Sequence, residues 1–189
     1  MLLESLANIK AFMEFDTQLG TTYDSLLTNL IQGTSEYFQT YTGRLFESAA
    51  RTVYFDGGRK IYLLNAFPIS TSTVPVITVD GEAQVENDDY YVDYDNGMIE
   101  FTYKVESGQK IVKIIYTGGY ASTDSVVAVP KDLKLALTWQ VVEEFNRRKS
   151  PGSSSVSMPD GSRSFTGALD LLPQVKDTLD RYKAVQNQW

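Results

Sequence analysis

The stretch "TTYDSLLTNLIQGTSEYFQTYTGRLF", residues 21–46, carries the most regular apolar pattern in the chain. Apolar and aromatic side chains, together with one threonine, recur every three or four residues over five turns, which is the spacing of one face of an α-helix. These residues are Tyr23, Leu26, Leu27, Leu30, Ile31, Thr34, Tyr37, Phe38 and Tyr41. Thr21 and Asp24 resemble a capping box, and Gly33 costs only about 1 kcal/mol inside a helix. The stretch predicts a long helix, preceded by a shorter one over about residues 3–15.

Residues 51–120 change from this helical period to an alternation of two, rich in β-branched and aromatic side chains. Turn signals recur at short intervals and no helix-length segment separates them, so we expect about six short antiparallel strands. Two hairpins are predicted, one joining residues 53–55 to 61–64 and the other joining residues 90–94 to 98–103. The predicted structure is a small β-sandwich or barrel.

Helical character returns after this β module. Pro130 and Asp132 suit a first helical turn, and the basic residues Arg147 and Arg148 complement the negative end of the same helix. A Ser-rich segment over residues 150–168 predicts a flexible loop or a segment ordered by a partner.

A final short helix is predicted over residues 173–185. The expected fold class is therefore α+β: a bundle of about four helices, formed by residues 1–50 and 121–189, with the antiparallel β module 51–120 inserted into it.

The composition excludes several kinds of chemistry. The chain has 189 residues, no His and no Cys, so Ser-His-Asp and thiol nucleophiles, imidazole or thiolate zinc sites, and disulfides are ruled out. We expect no enzymatic activity, no cofactor, and no catalytic or metal site. No apolar run approaches the roughly 20 residues that span a bilayer, so we expect no membrane partner and a chain that is made and kept in a reducing cytoplasm.

An acidic cluster lies at Asp88, Asp89, Asp93 and Asp95. Asp93, Asp95 and Gly97 begin like a calcium-binding loop, but Gly97 occupies the position of the third ligand and no Glu stands at the twelfth. We expect a hairpin turn with a solvated acidic flank, with a metal site or a catalytic carboxylate pair as the alternatives.

Aromatic residues are abundant in the β module: Tyr54, Phe55, Tyr62, Tyr90, Tyr91, Tyr94, Phe101 and Tyr103. An aromatic strip on a small β-sandwich is one way to stack sugars, so a carbohydrate-binding or host-adhesion module is the alternative function. The favoured interpretation is that these rings fill the core or face a neighbouring subunit.

Four pieces of sequence carry a resemblance to a known family. They are "LLTNLIQGTSEYFQTYTGRLF" (residues 26–46), "IIYTGGY" (114–120), "VPKDLKLA" (129–136) and "LLPQVKDTLDRYK" (171–183). In this order, with the strand-rich insert between the helices, the chain resembles the head–tail connector (adaptor or neck) proteins of tailed bacteriophages.

The resemblance implies a structural virion protein at the head–tail junction, assembled in the host cytoplasm. Its subunits would form a homo-oligomeric ring, expected to be a dodecamer, beneath the portal of the capsid, and would take part in viral assembly and DNA ejection. Expected partners are the portal protein, tail or head-completion proteins, and double-stranded DNA that passes through the lumen without specific binding. The net charge of −7 is consistent with weak contact to phosphate.

The C-terminal region is the expected interface with the portal or with adjoining subunits. An amphipathic face on a helix too short to be stable alone must pack on something, and a terminal Trp is a plausible anchor. The expected interface residues are Leu172, Val175, Leu179, Tyr182 and Trp189, together with Arg147 and Arg148. The resemblance supports this expectation because connector C-termini reach the portal.

Overall fold

The structure of the chain is a computed structural model, and its description covers six ranges: residues 3–13, 21–120, 128–148, 155–158, 161–164 and 171–184. The chain divides into two compact units. The helical unit comprises residues 1–41 and 130–182, and the β unit comprises residues 42–129 and 183–189.

Four helices lie in the described part of the chain, as the sequence predicts. They are α1 (Leu6–Phe12), α2 (Asp24–Thr42), α3 (Lys131–Arg147) and α4 (Pro173–Asp180). The Ser5 hydroxyl caps α1 by accepting a hydrogen bond from the backbone N–H of Asn8 at 3.1 Å. Lys10 and Asp24 form an ion pair at 2.6 Å that joins α1 to the start of α2.

The apolar pattern of α2 is broader than the face that the helix buries. Leu27, Ile31 and Phe38 are fully buried, whereas Leu26 and Tyr37 are exposed. The three-four spacing thus identified the helix, but the apolar side chains on it serve two different surfaces.

The last helix is shorter than predicted. It ends at Asp180, where the N–H groups of Arg181 and Tyr182 donate to the carbonyls of Thr178 and Leu179 in tight i→i+3 bonds. These bonds tighten and end the final turn, so the helix does not continue through residues 183 and 184. The predicted end at Val185 lies outside the described residues.

The β unit contains seven strands among the described residues: β1 (Ala49–Phe55), β2 (Ile61–Leu63), β3 (Val76–Val79), β4 (Glu82–Ala83), β5 (Tyr90–Asp93), β6 (Met98–Phe101) and β7 (Val112–Gly118). They form a four-stranded antiparallel sheet in the order β1-β7-β3-β4 and a three-stranded antiparallel sheet in the order β2-β6-β5.

One hydrophobic core is shared by the two sheets. It includes Ile77, Val112, Ile114 and Tyr116 from the four-stranded sheet and Tyr62, Tyr90, Ile99 and Phe101 from the three-stranded sheet. Alternate residues along β7 are buried in this core, which is the pattern of a sheet with one covered face. The arrangement is sandwich-like, with no closed barrel in the described residues, and it confirms the predicted α+β fold with antiparallel sheets.

Of the two predicted hairpins, only the second is correct. Residues 90–93 pair with residues 98–101, with Asp93 opposite Met98. The first prediction is wrong, because β1 pairs with β7 and β2 pairs with β6, in different sheets. Gly57 is instead required by a close approach: a Cβ at this position would lie 1.9 Å from the carbonyl oxygen of Glu106.

The Ser-rich segment also departs from the prediction of a loop. Residues 155–158 (β8) and 161–164 (β9) form a two-stranded antiparallel ladder in which Ser155 is opposite Ser164. Ser alternates with Val156 and Met158, which is the period of two expected of a strand. The high content of Ser and Gly in the same segment favoured the loop prediction instead.

Candidate functional site

The predicted C-terminal interface face is packed within the helical unit. Val175 and Leu179 are fully buried, and Leu172 is half-buried. Helix α4 contacts α3, and the backbone N–H of Leu172 donates to Oε1 of Gln140 at 3.1 Å. The apolar residues of this face therefore find their partners inside the chain, and Trp189 lies outside the described residues.

A polar cluster closes the other end of the α3–α4 contact. The hydroxyl of Tyr182 donates to Oδ1 of Asp132 at 2.7 Å, and a guanidinium nitrogen of Arg181 lies 3.7 Å from Oδ2 of the same carboxylate. Asp132 sits in the first turn of α3, where the helix dipole favours a negative charge. The sequence suggested that dipole role but not the two partners from the C-terminal segment.

Arg147 and Arg148 lie half-buried at the C-terminal end of α3. The guanidinium of Arg148 stacks 3.5 Å from the ring centroid of Phe145 and 5.0 Å from that of Tyr23, and it donates to the carbonyl of Phe145 at 2.6 Å. Arg147 lies 3.9 Å from Glu144. The two arginines place positive charge at the negative C-terminal end of α3, and both remain partly exposed, so a partner can still reach them.

An open depression lies between α2 and α3, and we call it the α2–α3 groove. It has a volume of about 330 Å³ and is lined by residues that include Leu30, Gly33, Thr34, Tyr37, Gln140 and Glu144. A Cβ at Gly33 would lie in open space, so the glycine leaves room in the wall of the groove. The sequence placed Leu30 and Tyr37 on the core stripe, but Tyr37 is 38% exposed.

A second depression, the α1–α3 patch, was not predicted. Its volume is about 260 Å³, and its lining includes Glu4, Phe12, Lys131, Lys134 and Leu135. Phe12 is 49% exposed and Leu135 is 40% exposed, so two large apolar side chains stand in water beside two lysines. Phe12 falls on the three-four pattern of α1, and the sequence offered no sign that it lies outside the core.

The acidic cluster of the β unit forms turns, as the favoured interpretation predicts. The carboxylate of Asp93 accepts hydrogen bonds from the side chain of Asn96 at 2.8 Å and from the N–H groups of Asp95 and Asn96. These bonds, led by the one from the Asn96 side chain, lower the pKa of Asp93. Within the described ranges, no group of three or more acidic side chains is arranged to hold a metal ion.

The aromatic residues do not form one strip. Tyr62, Tyr90 and Phe101 are buried in the core of the β unit. The exposed Tyr54 lies opposite Lys113 in the four-stranded sheet, while the exposed Tyr91 lies opposite Glu100 in the three-stranded sheet. The stacking surface that a sugar-binding module would need is therefore divided between two sheets and the core.

The sequence model of the head completion protein family matches residues 5–185 of the chain. No curated protein sequence is significantly similar to it. Among the helices of the described residues, none combines the length and the apolar character needed to cross a membrane.

Several solved structures share the fold. A chain from the neck of an empty gene transfer agent particle, computed with C6 symmetry, aligns with a TM-score of 0.62 and 16% identity over 97% of this chain and 91% of that one. A chain from the neck of a native particle, computed with C12 symmetry, aligns with a TM-score of 0.53 and 15% identity over 85% and 83%. A chain from the virion of the native gene transfer agent particle aligns with a TM-score of 0.53 and 16% identity, over 86% and 79%.

Proposed function

This chain belongs to the head completion protein family, and on that premise we propose that its subunits form a ring beneath the portal that joins the capsid to the tail and leaves a conduit for DNA. The predicted resemblance to head–tail connector proteins of phage-like particles is confirmed, and the role is that of a structural neck component of the virion. The observation that carries the proposal is the family match over residues 5–185.

Ring formation is supported by the assemblies in which the same fold occurs. The structures similar to this chain include necks computed with C6 and with C12 symmetry. A closed ring of identical subunits needs a heterologous contact whose rotation divides a full turn. Twelve subunits satisfy both symmetries, and we propose that number for this chain.

The net negative charge of the chain suits a conduit that does not bind DNA tightly. The 24 acidic residues outnumber the 17 basic ones. Tight duplex binding depends on many phosphate contacts from Lys and Arg, which an acidic surface disfavours. We propose that double-stranded DNA passes through the ring without specific binding.

The portal-facing surface is proposed to lie at the C-terminal end of the chain. Because Val175 and Leu179 are buried, their contribution is to hold α4 on α3. Contact with the portal would then fall to the accessible members of the predicted set, which are Leu172, Tyr182, Arg147 and Arg148, and to Trp189. Tail or other head-completion proteins are the proposed partners on the opposite side of the ring.

Separate roles for the helical and the β-rich parts of the chain are also proposed. We propose that residues 1–50 and 121–189 act as the connector domain and that residues 51–120 act as an inserted module. The β unit has its own core, which supports independent packing of the insert. Family membership implies a structural role rather than catalysis, and no described feature favours the alternative of carbohydrate binding.

Particles assembled with and without the chain test the proposed function. Without it, we expect filled heads and free tails that do not join, visible by negative-stain electron microscopy. Adding the purified chain should restore joining. Normal tailed particles in its absence would refute the connector role, and a reconstruction that places the chain away from the portal would refute the ring.

A further inference from the structure

The helical unit carries two unlike exposed surfaces, the α2–α3 groove and the α1–α3 patch, and both include residues of α3. On that helix, Lys131, Lys134, Leu135 and Thr138 line the patch, whereas Gln140 and Glu144 line the groove. At 100° per residue the two sets are centred roughly 150° apart around the helix axis. One rigid helix therefore presents the two surfaces in nearly opposite directions.

Both surfaces expose apolar side chains beside an open depression. The patch offers exposed apolar side chains at Phe12 and Leu135. The groove offers the larger depression, about 330 Å³ against about 260 Å³, and its lining includes Gly33 beside Leu30 and Tyr37. Small residues at a helix surface, such as Gly33, let a side chain from another helix approach closely, and the exposed Phe12 and Leu135 are side chains of that kind.

The two surfaces are complementary in charge. Lys131 is exposed and Lys134 is half-buried on the patch, where Glu4 already accepts hydrogen bonds from Ser5 and Asn8. The groove has Glu144 in its lining, and the exposed Glu36 precedes Tyr37 on α2. Each of these carboxylates accepts a hydrogen bond from a neighbouring amide, Glu36 from Gln32 and Glu144 from Gln140, both at 3.1 Å, and Arg147 lies 3.9 Å from Glu144.

We propose that the occupant of the α2–α3 groove is the α1–α3 patch of a second copy of this chain. Each subunit inserts Phe12 and Leu135 into its neighbour's groove and sets Lys131 and Lys134 against that neighbour's Glu144 and Glu36. Because the two surfaces differ and face nearly opposite ways, the contact is heterologous and passes from subunit to subunit. The inference rests on the proposed ring and identifies the contact that builds it.

Cysteine cross-linking tests this pairing directly, since the chain has no cysteine of its own. A full-length variant carrying both Gly33→Cys and Leu135→Cys is oxidised in assembled particles and in the purified protein. A ladder of covalent oligomers on non-reducing gels is expected, because each subunit can bond to two neighbours. The single variants Gly33→Cys and Leu135→Cys should remain monomeric on the same gels.

The outcomes separate this pairing from the ring itself. Dimers of either single variant would mean a symmetric contact and overturn the proposal. Particles whose necks show a ring by microscopy, but whose paired variant gives no ladder, would also overturn it and leave the connector role intact. Absence of any ring in wild-type particles would instead refute the proposed function.

A charge exchange provides a second measurement that does not depend on disulfide geometry. Lys134→Glu alone and Glu144→Lys alone should each lower the association constant of the subunits by about tenfold, as expected for the loss of one charge pair worth roughly 1.4 kcal/mol. Sedimentation velocity measures this loss as a smaller oligomeric fraction. The double variant should recover most of the loss. Additive weakening in the double variant would show that the two residues do not meet, and an association unchanged in both single variants would point to another occupant, such as the portal.

Discussion

The guanidinium carbon of Arg44 lies 3.5 Å from the ring centroid of Phe67, inside the β unit, where Arg44 is only 4% exposed. Arg44 also donates hydrogen bonds to the carbonyl of Phe67 and to the hydroxyl of Tyr120, and the ring of Phe46 lies 5.5 Å away. The Arg44 side chain thus joins the segment before β1, the loop after β2 and the segment that follows β7. One buried cation closes the β unit where the chain enters and leaves it.

Replacement of Arg44 by Lys should therefore destabilise the β unit. Lys keeps the charge, but it cannot stack a planar group on Phe67 or make the forked hydrogen bonds of a guanidinium. We expect a loss of about 2–4 kcal/mol, since a buried charge is left with fewer partners. Urea denaturation followed by tyrosine fluorescence measures the change.

The matched control is Arg59→Lys, the same substitution at an exposed position of the β unit. It should change the unfolding free energy by no more than about 0.5 kcal/mol. Equal effects at the two positions would contradict the closing role of Arg44.

Two glycines should respond to alanine in opposite directions. Gly33 is an exposed residue inside α2 with open space around its missing Cβ, so Gly33→Ala should stabilise the helical unit by about 1 kcal/mol. Gly97 has φ of +68°, and a Cβ there would lie 2.8 Å from Cβ of Phe67. Gly97→Ala should lower the unfolding free energy by at least about 1 kcal/mol. Thermal denaturation by circular dichroism compares them, and a stabilising Gly97→Ala would show that the turn tolerates a side chain.

Asp93 should contribute stability that depends on pH. Its pKa in the folded protein is lowered by the side chain and N–H of Asn96, so the contribution is present above the unfolded pKa of about 4 and is lost as the pH falls through the folded pKa. Asp93→Ala should reduce the urea midpoint at pH 7 and converge with the wild type near pH 2. The neighbouring exposed Asp95→Ala is the control; a difference between Asp93→Ala and wild type that persists unchanged at pH 2 would refute this linkage.

The packing of α4 should depend on one hydrogen bond. Tyr182→Phe removes one donor to Asp132 and leaves that carboxylate with the backbone N–H of Leu133 at 2.9 Å and with Arg181 at 3.7 Å. The expected loss is about 0.5–1.5 kcal/mol. Hydrogen exchange of the α4 amides should be faster in this variant, whereas Tyr54→Phe, on the exposed face of β1, should leave those amides unchanged.

The sequence correctly predicted the parts of the fold that depend on local periodicity. The stripe along α2 and the alternation in β7 each repeat often enough to identify the element. Strand partners are different, because β1 pairs with a strand that begins at Val112 rather than with the next strand along the chain. The Asp56-Gly57-Gly58 signal is the same for a hairpin turn and for a close approach to the backbone of Glu106, so composition could not separate them.

The candidate surfaces were harder to predict for a related reason. Leu30 and Tyr37 obey the same three-four spacing as the buried Leu27 and Ile31, and spacing alone cannot tell a core face from a docking face. For the C-terminal helix, the amphipathic pattern correctly indicated a face that must pack. It could not indicate that α3 of the same chain lies beneath Val175 and Leu179 rather than a partner.

The last prediction separates folding from docking in the C-terminal region. Leu179 is fully buried, so Leu179→Ala should destabilise the helical unit by about 2–5 kcal/mol through the cavity it leaves. Leu179→Ala should bind the portal as tightly as the wild type at temperatures where the variant is fully folded.

Trp189→Ala should have the opposite pattern of effects. Its unfolding free energy should be unchanged, while its affinity for the isolated portal oligomer should fall by about thirtyfold, the loss of an anchor worth at least about 2 kcal/mol. Binding to immobilised portal, with Gln188→Ala as the neighbouring control, measures this. Undiminished affinity of Trp189→Ala would remove Trp189 from the proposed interface and leave Leu172, Tyr182, Arg147 and Arg148 as the residues to test.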